Sequence, residues 1–560
     1  MSEGVSWDQA IATLTGSGGP FEIVEREVEG RTTKDFVNTP PSLRQALEMA
    51  RLYGEKTFLV YEDEVWSFAR LMARVDEIAD ALVERYGVAP GDRVAIAMRN
   101  YPEWIASFAA IVSVGGIAVC MNSWWKSEEM AYGLEDSGTK LLIADPERIR
   151  VAESSLTEPG RAALVVRCDG EAPAGVDRME DVLRAGAAMP AVEIGPEDDA
   201  TILYTSGTTG SPKGAVSTHH AVLTSLRAFT CRALAGLMMQ PPKDPSPYET
   251  SFILAVPLFH VTGLVAVMLS CFLNGFKLVM MYKWSPERAL ELIERERVTQ
   301  FVGVPTMTID LLESPDFGRR DTSSLASVGG GGAPAPPEMV SRVKESFTRG
   351  SPGIGYGMTE TNAYGPQNMG DDYLRKPRST GRTIPIVDVQ VFDAEMRPLA
   401  VGEVGEICFR GPNLIRGYWR KPEATAETIV DGWLKSGDLG RIDEEGFVYV
   451  EDRAKDMVLR GGENIYCAEV EAVVYEFPGV HEAAVFGLPH ERLGEEVACA
   501  VMPRRGCEID AIALRDHLAE HLASFKVPTV FEVVSDPLPR NAAGKILKRE
   551  IRDQLVARRS

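Results

Sequence analysis

The 560-residue sequence holds eight cysteines and no C-x-x-C pair. That spacing excludes a zinc-ribbon pattern and a disulfide framework, and it points to a reducing compartment. Positive charge is scarce: 59 Lys and Arg stand against 81 Asp and Glu, a formal net charge of −22. Nucleic acid is therefore excluded as a general partner, because a phosphate backbone requires basic surface. Any small anion must be held by a few local cations against an unfavourable overall field. The opening Met1-Ser2-Glu3-Gly4 lacks the basic and apolar regions of a secretory leader. The most apolar run, Val261 to Leu273, is too short to span a bilayer and reads as buried core. These absences predict a cytoplasmic protein with no transmembrane segment. Internal repeats and low-complexity tracts are also missing.

What is present is an ordinary globular composition, 45% hydrophobic and 25% charged. The length suggests about three to four domain-sized units. Up to about residue 195, helix-like segments (Leu43 to Tyr53, Phe68 to Tyr86) alternate with short apolar runs (Arg93 to Met98, Lys140 to Ala144). That alternation predicts βαβ units and a mostly parallel sheet. The pattern recurs from Ala200 to about Gly370, with strands at Phe252 to Val256, Lys277 to Met280 and Phe301 to Val304. From about Val387, short strands with turns (Val387 to Phe392, Gly405 to Arg410) predict a small β-barrel-like unit. After Lys455 the texture is α+β, with helices at Ala468 to Tyr475 and Ile512 to Leu522. Strands are expected there at Ala483 to Leu488 and Val497 to Met502. The expected fold is thus α/β, with a large N-terminal domain (1–454) and a small, mobile α+β C-terminal domain (455–560).

The densest chemical signal is Tyr204-Thr205-Ser206-Gly207-Thr208-Thr209-Gly210-Ser211-Pro212-Lys213-Gly214, directly after the apolar Ala200-Thr201-Ile202-Leu203. Its glycines let backbone N–H groups approach an anion, its hydroxyls donate to phosphate oxygens, and Lys213 adds full positive charge. It does not fit a Walker A loop, since Pro212 precedes Lys213 and Gly214 follows it. A second cluster is Gly353-Ile354-Gly355-Tyr356-Gly357-Met358-Thr359-Glu360-Thr361. There Tyr356 can stack a purine, Thr359 can bond a phosphate and Glu360 can hold Mg²⁺. In Gly432 to Asp438, Asp438 can accept from ribose hydroxyls, although turn aspartates are commonly structural. Taken singly, Asp452-Arg453-Ala454-Lys455-Asp456 reads as a solvated charge run, and Leu538 to Lys545 as a tail.

Taken in order, these segments resemble the signature set of the adenylate-forming superfamily, which includes acyl-CoA synthetases, luciferases and peptide-synthetase adenylation domains. The resemblance runs from about Ser42 to Ile551 and includes Gly402 to Glu406 and Arg416-Gly417-Tyr418-Trp419. It implies an AMP-forming acyl-CoA synthetase using ATP, Mg²⁺ and CoA. In such an enzyme a carboxylate attacks the ATP α-phosphate, joining two anions, so charge neutralisation and positioning dominate. It further implies that Thr205, Ser206, Gly207, Thr208, Thr209, Gly210 and Lys213 grip the β- and γ-phosphates. Gly331, Ala333, Pro334, Gly355, Tyr356 and Gly357 would surround the nucleotide. Thr359 would touch the α-phosphate, Glu360 bind the metal, Asp438 hold the ribose with Arg453 assisting, and Lys545 bridge carboxylate and α-phosphate. Lys455 would be the hinge of a rotation that removes Lys545 and brings Gly461, Gly462 and Glu463 to a pantetheine tunnel.

Two positions depart from the family pattern. Ile354 stands where members usually carry the amide that reads adenine, and Leu459 stands where luciferases carry a lysine. Val256 to Gly263 resembles the segment lining the acyl pocket, and His260 occupies the place where amino-acid-activating relatives put an aspartate. His260 is expected either to gate that pocket or to be structural. Phe259, His260, Gly303, Val304, Met307, Gly329, Gly330 and Met358 are the candidate wall, with the glycines either letting an acyl group lie close to backbone or serving only adenine packing. With no obvious partner for a polar substrate, the expected acid is hydrophobic: fatty, alicyclic or aryl. Acyl-AMP ligases that load carrier proteins and non-catalytic nucleotide-binding relatives are the alternatives, and a homodimer stays open.

Overall fold

The computed structural model describes residues 4–28, 31–156, 161–205, 212–241, 246–333, 335–542 and 544–559. Two eight-stranded sheets form most of the molecule. The first runs in the order 417–418, 213–218, 199–205, 117–120, 93–97, 141–144, 162–165, 177–178. The second runs 367–369, 351–355, 327–331, 300–303, 251–254, 277–280, 57–61, 64–67. The interior strands pair in parallel, as the alternation predicts.

The chain does not simply build one sheet and then the next. Strand Thr57–Tyr61 pairs with Lys277–Met280 of the second sheet, and Asp199–Thr205 pairs with Ile117–Cys120 of the first. The two sequence stretches that read as successive βαβ arrays are therefore interlocked. Sequence periodicity reports that a strand exists but not which edge accepts it.

One apolar cluster joins both sheets. It includes Leu59, Ile96, Leu278 and Phe301 from strands together with Phe68, Trp104, Phe108 and Phe272 from helices, every one of them fully buried. Helix Phe68–Glu84 starts where the Ser67 hydroxyl accepts from the Arg70 N–H at 3.1 Å. Phe58, Phe68 and Phe272 pack together at centroid distances of 4.5 to 6.3 Å, the first two stacked and Phe272 tilted against both. Burying each such ring contributes about 1.5–3 kcal/mol. The apolar run 261–273 folds as a π-helix, Thr262–Leu269, continued by Ser270–Asn274, and is largely buried as expected. Helix His219–Met239 is long and apolar enough to cross a membrane by length and composition, yet half of its apolar window is buried in the fold.

A five-stranded antiparallel sheet follows, and its strands Trp433–Ile442 and Val448–Arg453 pair Asp438 directly with Arg453. The last sheet, built from 458–460, 463–465, 480–490, 494–503 and 530–533, carries helices Cys467–Glu476, Ala511–His521 and Lys548–Arg559. It has apolar clusters of its own, centred on Val470, Val485 and Leu514 and on Phe486 and Ile551.

Candidate active site

The candidate residues collect where the parallel strands of the second sheet end. In open α/β sheets, ligands bind in the crevice outside the carboxyl ends of the strands. Strand Ser351–Gly355 leads into Tyr356, and Thr359–Thr361 forms one 3₁₀ turn that fixes Glu360. A cavity of about 340 Å³ opens there, walled by Ala333, Ile354, Tyr356 and Met358 on one side and by Asp438 and Arg453 on the other. Lys545, from the C-terminal unit, completes the wall.

Tyr356 donates its phenol proton to Asp438 Oδ2 at 2.6 Å, and Arg453 Nε stands 3.4 Å from Asp438 Oδ1. Burial, with the carboxylate beside it, pushes the Tyr356 phenol well above its ordinary value, so it remains a donor. Burial also raises the Glu360 carboxyl, opposed by a hydrogen bond from Tyr418 at 2.7 Å and by the charges of Arg453 and Lys213. Lys545 is pushed down to about 8, first by burial and then by Arg453, with Asp438 pulling the other way. A cavity with an aromatic face, a fixed carboxylate and two nearby cations can take an aromatic, hydroxylated, anionic molecule.

Thr205 and Lys213 face each other as the last pair of their antiparallel ladder, with the Thr205 hydroxyl donating to the Lys213 carbonyl at 3.4 Å. Ser206, Gly207, Thr208, Thr209, Gly210 and Pro334 lie outside the described residues.

Among the acyl-pocket candidates, Gly303, Gly329 and Gly330 lie in strands Gln300–Gly303 and Ser327–Gly331 and answer to the sheet itself. A Cβ on Gly330 would lie 1.6 Å from the Gly303 carbonyl oxygen. One on Gly329 would meet the Gly353 carbonyl at 2.3 Å, and one on Gly331 the Gly355 carbonyl at 2.2 Å. Close approach of backbone to backbone therefore accounts for these glycines. Val304 lies under Gly544, where an added Cβ would meet it at 2.9 Å, and the Met307 sulfur fills the space beside Gly303. Of the proposed wall, Met358 faces the cavity, whereas Phe259 and His260 do not. His260 Nδ1 accepts from the Thr262 N–H at 3.3 Å, and burial holds its pKa near about 4, so the ring is neutral. Gly461, Gly462 and Glu463 form an exposed hairpin tip outside the cavity, and Lys455 lies in the exposed turn after strand Val448–Arg453.

Sequence reasoning assigned no role to Tyr418 or Asp452. Asp452 accepts hydrogen bonds from the N–H groups of Arg453 and Cys467, and burial raises its carboxyl to about 6. Its cation is Lys548, which also pairs with Glu471 at 2.7 Å. Nothing local signals the contacts of Tyr418 with Glu360 and Lys213 or of Asp452 with Lys548, because those partners come from distant stretches of chain.

Two family models match the chain: AMP-binding enzyme over residues 47–419, and the AMP-binding enzyme C-terminal domain over 469–545. The chain therefore belongs to the AMP-binding enzymes, and within them to the AMP-forming acid–thiol ligases. Feruloyl-CoA synthase of Amycolatopsis sp. is 36% identical over 90% of this chain and 96% of its own length. A long-chain-fatty-acid–CoA ligase of Mycobacterium tuberculosis is 33% identical over 88% of this chain and 93% of its own. Among solved structures, o-succinylbenzoate CoA synthetase of Bacillus subtilis, in complex with its acyl-adenylate, superposes with a TM-score of 0.77 at 30% identity. It covers 92% of this chain and 98% of that one.

Proposed function

We propose that the protein adenylates a hydrophobic carboxylic acid with ATP, releasing pyrophosphate, and then passes the acyl group to the thiol of CoA, releasing AMP. The observation that carries this reading is the reach of Lys545 from the C-terminal unit into the cavity that holds Tyr356, Asp438 and Arg453. A cation there can neutralise the meeting of carboxylate and α-phosphate, which is the barrier of the first step. Tyr356 would stack the base, Asp438 would accept from the ribose, and Thr205, Lys213 and Thr359 would hold the phosphates. Ile354 offers no side-chain amide, which leaves adenine to be read by backbone carbonyls or by another side chain.

Magnesium, when bound, would offset the charge of the phosphate oxygens. Among the described residues no three His, Cys, Asp or Glu side chains gather into a metal cage. A lone buried carboxylate at Glu360 fits an ion held mainly by substrate oxygens and water.

The acid is expected to be aryl, alicyclic or fatty. Supporting this, Met358, which faces the cavity, carries no charge. The division into units 1–454 and 455–560, with Lys455 as hinge, belongs to the same reading: rotation there would withdraw Lys545 and bring Gly461 to Glu463 to the acyl-adenylate. Eight cysteines without a disulfide agree with a cytoplasmic location. A panel of carboxylic acids, assayed for AMP and thioester with CoA or with a phosphopantetheinylated carrier protein, tests the proposal. Acid-dependent AMP release with acyl-CoA as product is expected. No AMP release with any acid would reject it, and transfer only to the carrier would reject CoA as acceptor.

A further inference from the structure

The cation and the carboxylate assigned to the phosphates and the metal, Lys213 and Glu360, present a physical problem. Lys213 and Glu360 carry opposite charge and lie close enough for each to feel the other. Left to themselves in a partly dry site they would form an ion pair, and each would then be unavailable to a triphosphate or its metal. They do not pair. Among the described residues Lys213 makes no ion pair, and its ammonium lies 5.1 Å from the centre of the Tyr418 ring. The Tyr418 hydroxyl, at the other end of that ring, donates to Glu360 Oε1 at 2.7 Å.

The placement of Tyr418 follows from strand geometry. The two-residue strand Gly417–Tyr418 pairs antiparallel with Lys213–Thr218, setting Tyr418 opposite Ala215. Lys213 lies two residues before Ala215, so its side chain emerges on the same face, diagonal to Tyr418 and within reach of a long aromatic ring. Flanking hydrogen bonds lock the register: Trp419 N–H donates to the Gly214 carbonyl and Arg416 N–H to the Val216 carbonyl, both at 2.8 Å. The Tyr418 N–H itself donates to Thr425 Oγ1 at 2.8 Å. The far end is fixed as well, since the Glu360 carbonyl accepts from the Ile415 N–H at 3.0 Å. One segment, 415–419, thus grips both the phosphate-loop strand and the turn that bears Glu360.

We propose that Tyr418 is a positioning residue that works as a spacer: its ring face holds the Lys213 ammonium while its hydroxyl aims the Glu360 carboxylate, so that the two charges stay apart and ready for a magnesium–triphosphate. A ring face attracts a cation without neutralising it, and a phenol bonds a carboxylate without cancelling its charge. The inference rests on the ligase reading above.

Two variants separate the functions of the side chain. Tyr418→Phe keeps the ring and removes the donor; Tyr418→Leu removes both. ATP binding is measured by calorimetry with and without Mg²⁺, alongside KM for ATP and kcat in acid-dependent pyrophosphate exchange. For Tyr418→Phe, ATP affinity without Mg²⁺ should be unchanged. The gain on adding Mg²⁺ should shrink about tenfold, the worth of a hydrogen bond to a charged group, with KM rising more than kcat falls. For Tyr418→Leu, affinity without Mg²⁺ should also fall, and a crystal structure should show Lys213 paired with Glu360 within 4 Å. A double-mutant cycle guards against simple misfolding: in a Glu360→Gln background, Tyr418→Phe should have almost no further effect on the Mg²⁺ response.

Wild-type Mg²⁺ dependence in Tyr418→Phe, additive effects in the cycle, or Lys213 and Glu360 still apart in Tyr418→Leu would overturn the spacer role while leaving the ligase reading intact. Failure of the unaltered protein to bind ATP would overturn both.

Discussion

Lys545 illustrates how much one side chain draws from its surroundings. Burial beside Arg453 lowers its pKa to about 8, so its charge is conditional. The sign is fixed: the cation is complete well below pH 8 and is lost as pH rises through about 8. Adenylation measured as kcat/KM, which reports the free enzyme, should therefore fall along an alkaline limb near that pH. Thioester formation from supplied acyl-adenylate should lack the limb. Lys545→Ala should cost the first step roughly a hundredfold or more and spare the second. Equal loss in both steps would reject the assignment. Lys545→Arg, whose charge does not titrate in this range, should abolish the limb whatever its effect on rate. The lysine's position in a glycine-containing loop near the end of the chain was visible in sequence, as was its family role. Its pKa was not, because Arg453 and Asp438 lie about a hundred residues away along the chain.

Among elements, strand Ser327–Gly331 shows a motif whose residue types were legible and whose reason was not. Four consecutive glycines from Gly329 suggested room for an acyl chain or packing against adenine. The fold adds a structural reason: Gly329, Gly330 and Gly331 each meet a neighbouring carbonyl where a Cβ would stand. Gly330→Ala should lower the melting temperature, with a cost of about 1–3 kcal/mol, the range for forcing volume into a packed site. Gly318→Ala, where nothing lies within 4 Å of the added carbon, serves as the control and should change stability little. A Gly330→Ala protein that melts like the unaltered one would show that the strands separate easily. The strands and helices themselves were read well from sequence: Gly405–Arg410 has the expected bounds, and helix Phe68–Glu84 ends two residues short of the expected Tyr86. Pairing partners such as Thr57–Tyr61 with Lys277–Met280 were not, because a strand's apolar pattern is satisfied by any edge that buries it.

For the whole molecule, the contact between the C-terminal unit and the rest decides whether Lys545 reaches the cavity. Glu313, ending helix Pro305–Glu313, receives His481 at 2.9 Å and Arg504 at 3.0 Å from the C-terminal sheet, while Arg342 stands 3.6 Å away. Glu482 and Asp310 also face the imidazole and, with Glu313, raise its pKa against the effect of burial. A histidine raised on docking stabilises the docked arrangement below its ordinary value near 6.5, and that contribution disappears as pH climbs through the raised pKa. Glu338 adds to the trend: burial and the facing Glu476 raise its carboxyl, so repulsion grows on ionisation. Cleavage by a protease in the 454–457 turn should therefore quicken as pH rises from about 6 to 8. Glu313→Gln should increase the rate a few-fold at low pH and flatten the profile. An unchanged profile in that variant would remove this cluster as the pH-sensitive contact.

Sequence alone settled the chemistry on offer: an acidic chain that gathers hydroxyls, glycines and a few cations into short segments in family order, because local composition and spacing are properties of the chain. The tertiary structure decided which of those groups meet. Tyr418 reaches Glu360 across 58 positions, Asp438 lies opposite Arg453, and Lys545 enters the cavity from another unit. Such meetings depend on strand order and docking, which follow from how the whole core packs.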